Sequence, residues 1–207
     1  MALNMSPDVY FSIRVASQGL YKEKGSRFIS FAHPVSDQEE IKIILEIIRK
    51  EHHEARHHCF AWMTGHNKLN WRVSDDGEPS GTGGRPILGQ INSFGLTNIL
   101  IVVTRYFGGT LLGVSGLINA YRTAAADAIK NAEIKECLLQ DYFEITYPYD
   151  AMNQVMKILK EESVSQSEHS FDLVCRIQLN FRSSARERIL TRLSRIEGLT
   201  SSYIETH

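Results

Sequence analysis

Residues able to do chemistry concentrate in Ser74-Asp75-Asp76-Gly77-Glu78-Pro79-Ser80-Gly81-Thr82-Gly83-Gly84-Arg85-Pro86, which holds three carboxylates, four glycines and an arginine. A loop that only turns a corner needs one or two Gly, Pro or Asx residues, so the surplus calls for an explanation. Three explanations fit. The carboxylates can accept the free N–H groups of the Gly81-Thr82-Gly83-Gly84 turn or pair with Arg85 and Arg105, pinning the loop. They can form part of a ligand or partner site with Ser80, Gly81, Thr82 and Arg85. Or Asp75, Asp76 and Glu78 can hold a hard divalent cation, which prefers clustered carboxylate oxygens. No calcium-loop spacing is present, so no metal is expected, and pinning is the first reading.

A second glycine-rich run follows, Arg105-Tyr106-Phe107-Gly108-Gly109-Thr110-Leu111-Leu112-Gly113-Val114-Ser115-Gly116. Gly108-x4-Gly113-Val114-Ser115 has the outline of a phosphate-cradling loop, but Val114 stands where that loop needs a lysine against phosphate charge. A nucleotide-hydrolysing P-loop is therefore excluded. Glycines leading into a helix N-terminus still expose N–H groups that favour anions, with Arg105 and Arg85 as nearby charge. The candidate binding set joins both loops: Asp75, Asp76, Glu78, Ser80, Gly81, Thr82, Arg85, Arg105, Tyr106, Gly108 and Gly109.

His52, His57 and Cys59 invite a metal reading, but no second ligand cluster accompanies them. His57 and Cys59 share one strand face, close enough to suggest a nucleophile and its base, yet no nucleophile elbow is present. No catalytic residue and no cofactor is assigned. Arg188, Arg192 and Arg195 share a helix side that could face RNA or a ribosomal partner. From residue 138 onward, however, 8 basic and 10 acidic residues leave that half without a basic surplus.

The elements that must position these groups follow from hydrophobic periodicity. Strands are expected at 9–15 and 26–32, with a turn at 21–25 and Phe28 facing away from Arg27, Ile29 and Phe31. Ser36 and Glu39 form a capping box for a helix with Ile41, Ile44, Leu45 and Ile48 inward, fraying near Glu51-His52-His53. Residues 58–63 and 69–73 pair as strands, 85–94 form a short helix, and 97–106 a strand buried on both faces. A long helix carries Leu117, Ile118, Tyr121, Ala125, Ala128, Ile129 and Ala132 inward.

The pattern then changes. A strand at 141–147, a helix capped by Asp150, a polar edge strand at 163–169 and a strand alternating from Phe171 through Leu173 to Phe181 are expected. A helix opened by Ser184 and Glu187, stopped by Gly198, and a last strand at 199–205 complete β-α-β-β-α-β, the split ferredoxin-like unit. The fold class is α+β, with an N-terminal domain over 1–137 and a C-terminal one over 138–207.

Composition bounds the function classes. At 43% hydrophobic and 23% charged, the 207 residues are ordinary globular composition. A net charge of −1 gives no general attraction to phosphate backbones or anionic membranes. Three separated cysteines suit free thiols in a reducing compartment, and no apolar run approaches a membrane helix. The expectation is a cytoplasmic protein with no membrane partner.

Five words of the sequence together resemble the YigZ/IMPACT family: Lys24-Gly25-Ser26-Arg27-Phe28-Ile29, Pro34-Val35, His52-x-Glu54-Ala55-x-His57-x-Cys59, residues 74–82, and Val102-Val103-Thr104-Arg105-Tyr106-Phe107-Gly108-Gly109. The resemblance implies an N-terminal domain like ribosomal protein S5 domain 2 and a ferredoxin-like C-terminal domain similar to one in translocating elongation factors. It also implies a link to translation, with RNA, ribosome or a translation factor as partner. Alternatives are an enzyme on a phosphorylated or acidic substrate using Asp75, Asp76 and Glu78, and a protein–protein interaction module. The chain departs from the family at Leu111 and Asn119, where relatives usually carry Lys and Arg, so a weaker grip on anions is expected.

Overall fold

The computed structural model describes residues 8–170 and 172–206. Contacts divide them into two compact units, Tyr10–Cys137 and Leu138 onward with Asp8 and Val9. The first contains β1 (Val9–Ile13), β2 (Ser17–Glu23), β3 (Ser26–Pro34), α1 (Gln38–Glu51), β4 (His57–Thr64), β5 (Asn70–Ser74), α2 (Gly84–Ser93), β6 (Ile99–Tyr106), α3 (Gly113–Lys130) and β7 (Ile134–Leu138), the outer ends of β1 and β7 reaching its boundary.

Strands β2-β3-β6-β4-β5 form one antiparallel sheet, and β1 pairs with β7. The apolar run of β6 makes it the central strand, with Ile99, Leu100, Ile101, Val102 and Val103 fully buried. Strand alternation sends Ile99, Ile101 and Val103 to the face covered by α2 and α3, and Leu100 and Val102 to the face covered by α1. Each face therefore has its own core, with Ile41 and Ile48 of α1 in the second as the helical spacing predicts.

Two local expectations change. The turn at 21–25 shrinks to Lys24 and Gly25, both at positive φ (43° and 79°), which is the two-residue hairpin geometry matching strand twist. Residues Tyr21, Lys22 and Glu23 belong to β2. The α1 cap is Asp37, whose carboxylate accepts from Glu39 N and Glu40 N, while Glu40 reaches back to Ser36 N. The reciprocal logic holds one residue later than the Ser36–Glu39 reading, because an ionised carboxylate is the stronger acceptor.

The second unit contains β8 (Gln140–Pro148), α4 (Met152–Glu161), β9 (Ser165–Ser170), β10 (Val174–Arg182), α5 (Arg186–Leu193) and β11 (Thr200–Thr206). Its antiparallel sheet runs β11-β8-β10-β9, in the β-α-β-β-α-β sequence expected. Ile145 and Tyr147 of β8 and Cys175, Ile177 and Leu179 of β10 meet Val155, Leu159, Ile189 and Leu193 of the helices. The expectation for Phe171 lies outside the described residues, and Leu173 is exposed, so the buried alternation begins only at Cys175.

Neither sequence cap of this unit forms. Single 3₁₀ turns, Tyr149–Ala151 and Ser183–Ala185, precede α4 and α5, whose N-caps are Ala151 and Ala185 without a side-chain acceptor. The anchor is instead Asp141, fully buried, taking Arg186 bidentately at 2.7 and 2.6 Å and the Thr206 hydroxyl. No described helix is long and apolar enough to cross a membrane.

Candidate functional site

The antiparallel register sets His57 of β4 opposite Arg105 of β6, and Arg105 opposite Phe28 of β3. These three side chains therefore share one face at one end of the sheet. The first loop leaves β5 beside them and the second leaves β6, so both loops border that end.

Asp75 is consumed in holding the first loop. Its Oδ2 accepts from Gly81 N at 2.8 Å, and its Oδ1 from Gly83 N and Gly84 N, each at 2.9 Å. Gly83 and Gly84 open α2, so a carboxylate from before the loop supplies the cap that the helix lacks locally. The glycines are required by proximity. A Cβ on Gly83 would lie 2.6 Å from Cys59 Sγ, and one on Gly84 2.7 Å from Ser74 N. Partial burial works to raise the Asp75 carboxyl, but the three amides and Arg85 outweigh it and hold the group below the usual carboxylate range. Thr82 is buried and donates to Pro79 O, while Ser80 and Arg85 face solvent.

Asp76, at φ 43°, ties the loop to β4: its Oδ2 accepts from His58 N at 2.6 Å and its carbonyl from His57 Nδ1 at 2.8 Å. A carbonyl only accepts, so His57 carries a proton on Nδ1, and in its neutral form Nε2 is then the acceptor. That Nε2 lies 3.9 Å from Glu78 Oε1.

Glu78 turns inward, its side chain 3% exposed, and meets Arg105 Nη1 at 2.7 Å and the Tyr121 hydroxyl at 2.8 Å. Burial, with Cys59 and Glu78 beside it, pushes the Tyr121 phenol far above its ordinary value, so it remains a donor. Burial does the same to the Cys59 thiol, which donates to Asp75 O at 3.0 Å and is no nucleophile at neutral pH. The Arg105 guanidinium lies over Phe28 and Phe107, 5.5 and 5.6 Å from the ring centroids. Its Nε is buried with no hydrogen-bond acceptor among the described residues.

A cavity of about 340 Å³ opens between the two loops. Arg56, His57, Glu78 and Arg105 line one side; Pro79, Phe107, Leu111, Leu112, Val114 and Leu117 supply an apolar lining. Arg56 lies over Phe107 at 5.4 Å and has no ion pair among the described residues. The N-terminus of α3 enters the cavity at Gly113 and Val114 with no side-chain cap and no acidic residue in its first turn.

Of the sequence-derived set, Glu78 and Arg105 line the cavity, while Asp75, Asp76, Gly81 and Thr82 build its wall from behind. Gly108 holds the second loop, donating to Ser26 Oγ and pressing against Gly25, and Gly109 faces open space. Tyr106 lies on the opposite sheet face, its hydroxyl 2.9 Å from His52 Nδ1. His52, His57 and Cys59 consequently do not converge, and no group of three metal-ligating side chains occurs among the described residues. Arg56, His57, Phe107, Leu111 and Tyr121 were absent from the expected set. Strand alternation marked His57; Tyr121 joins only through a helix packed across the sheet.

Residues 24–129, which carry both loops and the cavity, match the Impact N-terminal domain model. The chain belongs to the IMPACT family. It is 34% identical to the IMPACT family member YvyE of Bacillus subtilis over 73% of this chain and 70% of that protein. It is 43% identical to the IMPACT family member YigZ of Escherichia coli over 52% of this chain and 53% of that one. The crystal structure of a hypothetical protein, 26% identical, superposes with a TM-score of 0.71 over 97% of this chain and 99% of that one. In this IMPACT chain the Impact N-terminal match covers every residue named at the cavity, and the α5 arginines fall outside it. Of the three arginines expected to share a basic side, Arg188 and Arg192 pair with Glu162, and Arg192 also with Glu161, while Arg195 is exposed with no ion pair among the described residues.

Proposed function

We propose that the chain is a non-catalytic, translation-linked binding protein. Its cavity between the two glycine loops grips an anionic group of an RNA, ribosomal or translation-factor partner. The observation that carries this reading is the employment of the loop carboxylates. Asp75 holds three amides, Asp76 holds β4, and Glu78 is buried against Arg105 and Tyr121. What faces the cavity is a recognition set: an unpaired Arg56, a His57 acceptor and an uncapped helix start. The translation link is what the resemblance to the IMPACT family implies. The enzyme reading would need Asp75, Asp76 or Glu78 free to act on substrate, and their structural duties count against it.

Co-sedimentation with ribosomes and with total RNA across a salt series tests the proposal. Retention at low salt that weakens in Arg56→Gln is expected; absence from both pellets at low salt overturns it.

A further inference from the structure

The cavity also constrains the chemistry of what enters it. Arg105 is neutralised by Glu78 at 2.7 Å, leaving Arg56 as the one full cationic side chain of the lining without a carboxylate. The start of α3 adds about half a charge. That sum lies between a monoanion and a dianion, so the size and polarity of the lining must decide between them. Arg105, only 6% exposed, has an Nε with no hydrogen-bond acceptor among the described residues.

The rest of the lining is apolar and favours an occupant with an apolar body beside its anionic group. Leu111 and Val114 at the rim are 81% and 58% exposed, and they continue into Leu112, Leu117 and Phe107 within. At about 340 Å³ the space is at the small end of ligand pockets, room for one small acid or one residue of a chain. In the neutral form His57 Nε2 is an acceptor that an N–H or O–H of the same occupant can meet.

Resting on the reading of this cavity as a binding site, we infer that it takes the carboxylate of an N-acylated apolar amino acid. The carboxylate meets Arg56 and the α3 amides, the apolar side chain meets Leu111, Leu112 and Val114, and the acyl-amide N–H meets His57. A free N-acyl amino acid and the C-terminal residue of a polypeptide share this chemistry.

Amide-resolved NMR titration of the whole chain tests it, with N-acetyl-leucine, N-acetyl-leucinamide, inorganic phosphate and a pentapeptide ending in leucine. Saturable shifts at Gly113 and Val114 with N-acetyl-leucine are expected, with the amide analogue weaker by about tenfold or more. Arg56→Gln should weaken the acid similarly. Leu111→Lys should weaken N-acetyl-leucine while leaving phosphate no weaker; both sites are exposed, so the fold is not at stake. A tighter pentapeptide assigns the ligand to a chain terminus, and equal affinities assign it to a free acid. Phosphate binding as tightly as the acid, or no saturable shift with either carboxylate, overturns the inference. A chain that still co-sediments with ribosomes but ignores both carboxylates has the binding function without this ligand class. Carboxylate binding with empty pellets is the reverse.

Discussion

Asp75 exerts most of its effect through backbone it does not neighbour in sequence. Three amides converge on one carboxylate, so Asp75→Ala leaves the start of α2 uncapped and the loop untethered. Discounted for partial exposure, the expected loss is about 2 kcal/mol in urea unfolding. The pH dependence has a definite sign. The folded carboxyl lies below the ordinary value of about 3.9, so its contribution is fully present above that pH and is lost as pH falls through the folded value. Wild type should therefore lose stability more steeply with acid than Asp75→Ala does. Glu78 differs in kind. Removing it strands a buried guanidinium, so Glu78→Ala should cost about 3–5 kcal/mol, and Glu78→Ala with Arg105→Met distinctly less than the sum of the two singles. Thiol chemistry gives a third check. Cys59 is buried with its thiol pushed far up, whereas Cys137 is partly exposed, so a disulfide reagent at neutral pH should label Cys137 and spare Cys59 until the chain unfolds.

Among the elements, the loop after β6 depends on two adjacent glycines for different reasons. A Cβ on Gly108 would run into the backbone of Gly25 and Ser26, which cannot yield. Gly109 sits at φ 88° with open space around it, so only conformational strain opposes a side chain there. Gly109→Ala should cost about 1 kcal/mol, and Gly108→Ala several times more, with the β2–β3 hairpin and the cavity rim displaced together in NMR spectra. This contrast marks the limit of what the sequence makes legible. Periodicity located the helices and most strands because burial of one face is written at spacings of two or three to four residues, while β2 and β7, which bury few residues, were not expected. Glycine composition located both loops. Pinning of the Gly81-Thr82-Gly83-Gly84 amides by a loop carboxylate was legible from the excess of acids and glycines, and Asp75 supplies it. The helix caps were read less well: the α1 cap falls one residue later, at Asp37, and 3₁₀ turns stand in place of Asp150 and Ser184. Tyr121 was read correctly as core, but its hydroxyl reaches Glu78 43 residues away, and no local pattern encodes such a pairing.

For the molecule as a whole, charge is the deciding quantity. A net charge of −1 provides no attractive field toward a polyanion. The second unit is rich in arginine, yet Arg176, Arg182, Arg186, Arg188 and Arg192 each have a carboxylate partner. An anion approaching these groups must compete with an acid already in place, and releases few counterions by doing so. Arg195 and Arg56 stand outside this pattern, with no ion pair among the described residues, and of the two Arg56 lines the cavity between the glycine loops. The salt dependence of ribosome or RNA retention should thus respond to site rather than to total charge. Arg188→Gln combined with Arg192→Gln, although it removes two cations, should leave the slope of log affinity against log salt unchanged. Arg56→Gln, which removes one, should make it shallower by about one unit. Equal effects from the two variants would mean that retention reflects diffuse attraction over the surface, and the cavity would lose its claim to the partner.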